Sequence, residues 1–224
     1  LPEAAYIGLF HKEKLSELLH QNSWISASDK IDLVEKPGEG NMNFVVRVKT
    51  NSTSIIIKQS RPWVEKYPQI SAPADRIAVE AEFYNALSRD NFFGQYCPKM
   101  IGFDKKNYLL ALEDLGEGSD CTYLYQKKSK LEDNDLIHLV RFISHLHNSS
   151  ISAPNKFPEN ADLKKLNHTH IFYYPFEKDN GFDLDTMQPG LQEVSIPYKT
   201  NSLLKEKVKH LGEVYLQTHN TLIH

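Results

Sequence analysis

The stretch PGEGNMNFVVRVKTNSTSIIIKQ, residues Pro37 to Gln59, decides how the rest of the chain is read. Two glycines flank an acid in Gly38-Glu39-Gly40, and Asn41-Met42-Asn43 lead into the run Phe44-Val45-Val46-Arg47-Val48. That order predicts a glycine-bearing turn at the mouth of a strand. Thr50-Asn51-Ser52-Thr53 is a hairpin signal. Ile55-Ile56-Ile57 is β-branched throughout and bounded on both sides, which predicts a buried strand ending at Lys58. A lysine there has a chemical use: backbone N–H groups of a glycine turn approach phosphate oxygens closely, and an ammonium on the neighbouring strand neutralises them. Each feature also has a plainer account, since glycine beside a strand marks many ordinary hairpins and a lysine at a strand end is commonly a solvated edge residue.

Upstream, Leu15, Leu18 and Leu19 recur at i, i+3, i+4 and predict an amphipathic helix over 12–21 that packs on the domain as a lead-in. Ile31-Asp32-Leu33-Val34 reads as a first strand, so that three strands form an antiparallel meander. Downstream, SRPWVEKYPQISAPADR carries Pro62, Pro68 and Pro73, a density that predicts an irregular loop. From Ala74 a helix is predicted: Ile77, Ala81 and Tyr84 share a face, joined by Ala78 and Leu87, and Asp75 is an N-cap candidate. Glu80 and Glu82 in that helix point about opposite ways. Glu80, a turn after Ile77 and a turn before Tyr84, is the one expected to face the sheet and pair with Lys58.

Lys99 to Asp104 and Tyr108 to Asp114 read as two strands around the turn Asp104-Lys105-Lys106-Asn107, giving a sheet of about five strands with one helix. The polar, glycine-rich LGEGSD at 115–120 is the expected domain boundary. Beyond it the texture is helical. Asp133 or Asn134 can cap a helix whose Leu136, Ile137, Leu139, Val140, Phe142, Ile143 and Leu146 cover more than one face, which predicts a largely buried helix. A weak helix is signalled around 163–166, His168 to Phe176 is open between strand and short helix, and 177–198 carries no clear element. A last helix starts at Ser202. The expected organisation is a lead-in over 1–24, a small sheet lobe over 25–115 and a mainly helical segment over 116–224.

Composition narrows the classes. A net charge of −3 over 224 residues, with no long basic stripe, argues against a nucleic-acid binder. Cys97 and Cys121 form no framework and are expected as free thiols. No apolar run reaches membrane-spanning length and no leader pattern stands at the start, so the expectation is a soluble cytoplasmic protein without membrane partners.

Taken in order, a glycine turn, a strand lysine, a helix glutamate, a strand ending in Glu-Asp-Leu-Gly and then helices resemble the small lobe and hinge of the protein-kinase-like α+β fold, in its aminoglycoside phosphotransferase branch. More narrowly the chain resembles the methylthioribose kinase family, on GEGNMN, IIIKQ, RPWVEKYP, DRIAVEAEFY, EDLG at 113–116 and the final TLIH. The resemblance implies that Gly38, Gly40 and Asn43 lie over the ATP phosphates, that Lys58 contacts the α- and β-phosphates with Glu80 bracing it, and that Glu113, Asp114 and Leu115 form the hinge whose backbone reads the adenine edge. It implies ATP and Mg2+ as cofactors, a small-molecule acceptor, most specifically 5-methylthioribose in methionine salvage, and a possible homodimer. It also puts the catalytic aspartate and the metal-binding acids downstream of the position of His224. This chain is therefore expected to carry the ATP cradle with no catalytic or metal-binding residue of its own, and to be inactive by itself.

Alternative readings are a kinase for another hydroxylated metabolite of the aminoglycoside, choline or homoserine type, and a noncatalytic kinase-like module. The histidines suggest a further test. His145 and His147, two apart on a helix, diverge, whereas His168 and His170 could share a metal if their segment is a strand. No nucleophile elbow supports a hydrolase.

Overall fold

The computed structural model describes residues 6–9, 11–38, 40–118, 121–151 and 158–218. Helix α1 (Lys12–Gln21) buries Leu15, Leu18 and Leu19, the three residues whose spacing predicts it. Strands β1 (Ile31–Glu35), β2 (Phe44–Thr50) and β3 (Ser54–Gln59) form the expected antiparallel meander. Strands β4 (Trp63–Val64) and β5 (Tyr67–Ser71) pair with each other, apart from the main sheet.

That small hairpin corrects the expectation of an irregular segment. Trp63 pairs with Ser71 and Val64 with Tyr67, and the register shifts between them. Pro68 falls in the shifted stretch, where its missing N–H costs no ladder bond.

Helix α2 (Arg76–Leu87) follows, with Asp75 at the N-cap position but making no side-chain cap bond. Strands β6 (Met100–Asp104) and β7 (Leu109–Glu113) complete a five-stranded antiparallel sheet in the order β1-β2-β3-β7-β6. β7 pairs between β3 and β6, and its four buried residues, Leu109 to Leu112, are covered on both faces, Leu109 and Ala111 on one and Leu110 and Leu112 on the other.

Two cores result. On one face, α1, Trp24 and Ile25 pack against Phe44, Val46, Val48, Ile55, Ile57, Leu109 and Ala111. Gly102 on β6 makes room for the indole of Trp24: a Cβ there would sit 2.1 Å from its Nε1. On the other face, Ile77 and Ala81 of α2 pack on Leu110 and Leu112, with Ile56 half-buried beside them. Phe83 and Leu87 occupy a further side of α2 and meet Phe93 and Leu146. The alternation in β3 refines the reading of Ile55-Ile56-Ile57 as uniformly buried, because Ile55 and Ile57 enter one core and Ile56 the other.

Helix α3 (Asp133–Ile151) carries Leu146. Its other apolar residues correct the expectation of a largely buried helix: Leu136, Ile137, Leu139, Val140 and Ile143 are all exposed, Val140 at 56%. Only the side bearing Phe142 and Leu146 is met by the Phe83 and Phe93 cluster.

By its contacts the chain divides into two compact units, of which the second is Asn160–Asn220. Within it lie α4 (Ala161–His168), a π-helical turn at Thr169–Tyr173, a 3₁₀ turn at Tyr174–Phe176, α5 (Leu191–Thr200) and α6 (Ser202–Gln217). Asn201 caps α6 by accepting the Leu204 N–H at 3.0 Å. Gly212 of α6 lies against His168, whose Nε2 would be 2.7 Å from a Cβ at that position.

Candidate functional site

The period of two in β3 puts Lys58 on the same face as Ile56, opposite Gln59, and the register sets it between Val45 of β2 and Leu110 of β7. That is the face α2 covers. From α2, Glu80 turns its carboxylate to the sheet and its Oε1 accepts from Lys58 Nζ, whereas Glu82 is exposed. The pair is partly shielded, with side-chain exposures of 23% for Lys58 and 15% for Glu80. Tyr84, one turn on, has its phenol pushed up to about 12 by burial and by the Glu80 charge, so it stays neutral beside the pair.

The glycine turn approaches the same pair. A Cβ on Gly40 would meet the backbone oxygen of Asn43 at 2.9 Å, so the turn closes tightly only with glycine there; at Gly38 the same position is open space. Glu39 lies outside the described residues. Asn43 donates from Nδ2 to the second oxygen of Glu80 at 3.3 Å. The two oxygens of Glu80 thus hold the strand lysine and the glycine turn at once.

The β4–β5 hairpin closes onto that turn. Lys66 N–H donates to Asn41 O at 3.0 Å and Glu65 N–H to Met42 O at 3.4 Å. Arg61, entering the hairpin, lies over the Phe44 ring at 4.4 Å and forms an ion pair with Glu65.

At the end of β7 the three predicted hinge residues differ in what they do. Glu113 donates its N–H to Lys99 O at 2.8 Å and accepts Lys99 N–H on Oε2 at 3.1 Å. The Asp114 carboxylate is committed to the scaffold: it accepts from Arg47 and Ser54 side chains and from Gly116 N–H. Burial pushes the Asp114 carboxyl up, and Ser54, Arg47 and Gly116 together outweigh it and hold the group below the usual carboxylate range. Leu115 is 68% exposed. Gly116 has φ +85°, a conformation that favours glycine.

One residue of this site was not singled out by sequence reading. Arg76 is buried at 5% exposure and donates to Asn43, Met42, Arg61, Trp63 and Pro73. Its signal was present, because it stands four residues before Glu80 and so on the same side of α2. Burial pulls its guanidinium below the ordinary arginine range, opposed by the charges of Glu80, Asp75 and Glu65.

The histidines do not converge. His168 and His170 lie in helical backbone at the junction of α4 and the π-helical turn, so the strand geometry they need for a shared metal is absent. His145 pairs with Asp90 at 2.7 Å. Among the described residues no group of three or more His, Cys, Asp or Glu side chains could hold a metal ion, and no helix is long and apolar enough to cross a membrane. The terminal TLIH and His224 lie outside the described residues.

An antiparallel sheet with one main helix, a strand lysine on a helix glutamate beside a glycine turn, and helices after it define an α+β, protein-kinase-like fold. The chain is similar to curated methylthioribose kinases. That of Bacillus cereus (strain B4264) is 26% identical over 202 residues, covering 84% of this chain and 49% of the relative. That of Bacillus mycoides (strain KBAB4) is 25% identical with the same coverage. That of Pectobacterium carotovorum subsp. carotovorum (strain PC1) is 24% identical over 226 residues, 93% of this chain and 54% of the relative. The chain spans about half the length of the curated relatives it matches. No protein-family model matches it.

Proposed function

We propose that this chain is the ATP-holding part of a small-molecule kinase whose acceptor is the sugar hydroxyl of 5-methylthioribose. Gly38, Gly40 and Asn43 lie over the phosphates, Lys58 contacts the α- and β-phosphates, Glu80 braces Lys58, and the backbone of Glu113, Asp114 and Leu115 takes the adenine edge. The single observation that carries the reading is the Lys58 ammonium seated on Glu80 with Asn43 of the glycine turn bonded to the same carboxylate. Phosphoryl transfer rests on positioning and charge neutralisation, and a fixed ammonium beside a glycine turn supplies both for the triphosphate. Mg2+, when bound with ATP, would neutralise the β- and γ-phosphates. The resemblance puts the acids that would hold it beyond residue 224.

The test has two arms. Calorimetry with Mg·ATP should give saturable binding that Lys58→Ala weakens about tenfold to a hundredfold, the loss of one charge-assisted contact. Unchanged affinity in Lys58→Ala would remove the cradle. The whole protein should then phosphorylate methylthioribose. Turnover of choline, homoserine or an aminoglycoside with none of methylthioribose would move the acceptor, and ATP binding without any transfer would leave a noncatalytic module.

A further inference from the structure

The guanidinium of Arg76 has five N–H donors, and each has an acceptor. Nε donates to Asn43 Oδ1 at 3.0 Å. Nη1 donates to the carbonyls of Arg61 and Pro73, both at 2.7 Å. Nη2 donates to the carbonyls of Met42 at 2.6 Å and Trp63 at 3.3 Å. None of these acceptors is a carboxylate. A cation this deeply buried is costly, and here it is spent on five neutral groups from three separate segments: the glycine turn, the β4–β5 hairpin and the lead into α2.

The contact with Asn43 has a directional consequence. Arginine can only donate, so the oxygen of the Asn43 amide must face Nε, and the amide nitrogen is committed to the other side. That side is Glu80, whose Oε2 accepts from Nδ2 at 3.3 Å. With Oε2 engaged, Oε1 is the oxygen that takes Lys58. Arg76 and Glu80 stand one turn apart on α2, so a single rigid helix holds both ends of a relay that runs through the glycine turn.

We infer that Arg76 is a positioning residue of the phosphate cradle: through Asn43 and Glu80 it fixes the glycine turn and the Lys58 ammonium relative to each other before a nucleotide arrives. The inference rests on the nucleotide reading given above and adds to it the group that sets the cradle's geometry. Arg76 touches no phosphate in this account. Its contribution is preorganisation, which removes ordering cost from the binding of a triphosphate and leaves the adenine end untouched.

The experiment measures binding of Mg·ATP and of adenosine to the wild-type protein and to Arg76→Lys, with thermal melts of both. Lysine keeps the positive charge and loses the fork and the Nε bond. The expected result is a loss of about three- to tenfold or more in ATP affinity, the range of one or two neutral hydrogen bonds, with adenosine affinity unchanged. A purely structural role would lower both or neither.

Should Arg76→Lys not fold, Asn43→Ala is compared in the wild-type and Glu80→Ala backgrounds. A relay predicts that the loss of ATP affinity on Asn43→Ala is about three- to tenfold larger when Glu80 is present than when it is absent, because any contact of Asn43 with phosphate is lost in both backgrounds. Equal ATP affinity in Arg76→Lys and wild type, or the same Asn43→Ala loss in both backgrounds, overturns the inference while the nucleotide reading stands. A wild-type protein that binds neither ATP nor adenosine overturns both.

Discussion

Arg47 of β2 grips Asp114 at the end of β7 through two parallel bonds, Nε to Oδ2 at 2.9 Å and Nη2 to Oδ1 at 3.1 Å, and Nη2 also reaches Gly116 O at 2.7 Å. β2 and β7 are not neighbours; β3 lies between them. The pair therefore ties the segment leaving the sheet to the strand that follows the glycine turn, across β3, which carries Lys58. Both side chains are shielded, at 12% and 5% exposure. A bidentate arginine pair of this kind fixes direction as well as distance.

That pair sets an acid dependence. The Asp114 carboxyl is held below the usual carboxylate range in the folded chain. A depressed folded value means that the unfolded chain binds a proton first as pH falls. The stabilisation is complete above about pH 5, begins to shrink as pH nears the ordinary value of about 4, and is lost as pH drops through the folded value. Asp114→Asn should cost about 2 kcal/mol at pH 7 and unfold with a shallower acid limb. Urea melts at stepped pH measure both, and parallel limbs for the two proteins would count against the pair.

The two glycines of the turn should separate cleanly. At Gly40 an added Cβ meets a backbone oxygen at 2.9 Å, which cannot move without shifting Asn43; at Gly38 it meets nothing within 4 Å. Gly40→Ala should destabilise the fold by about 1–3 kcal/mol, in the range of local overpacking, and weaken ATP binding through Asn43. Gly38→Ala should leave the melting temperature within about 1 °C, so any loss of ATP affinity there reports on close approach of phosphate to the turn. Thermal melts paired with ATP titrations decide it.

How far the chain could be read follows from which signals are local. The meander, α2 and the β6–β7 hairpin were legible because turn residues and the periods of 2 and 3.6 lie within a few positions of one another. Glu80 was legible against Glu82 for the same reason. Arg76 was not, since its five acceptors lie on segments from residue 42 to residue 73 that only the fold brings together. The β4–β5 hairpin hid behind its prolines, and what steadies it is contact with Asn41 and Met42, again remote in sequence. Helix α5 was obscured by Gly190 and Pro197; the first sits at φ +88° as its N-cap and the second lies inside the helix.

The thiols should differ in reactivity. Burial pushes the Cys97 thiol up, whereas Cys121 is exposed. Since the thiolate is the reacting species, a maleimide at pH 7 should label Cys121 before Cys97. Peptide mass spectrometry over a time course reads the order directly, and Cys97 labelling at the rate of Cys121 would contradict the packing around Phe93.

Helix α3 offers the sharpest contrast between pattern and burial. Its periodicity is apolar on several faces, yet periodicity states only which residues could be covered, not whether a neighbour covers them. Leu146 is 5% exposed against Phe83, Leu87 and Phe93, and Val140, on the same helix, is 56% exposed. Leu146→Ala should therefore destabilise the chain by about 2–5 kcal/mol, the range for truncating a packed core leucine. Val140→Ser should change stability by no more than about 0.5 kcal/mol, because no packed contact is lost at an exposed position. Chemical denaturation of the two variants measures the difference. A large cost at Val140 would mean that this face of α3 is packed in solution, against another part of the protein or a second copy, and concentration dependence of the unfolding midpoint would distinguish the second copy from the first.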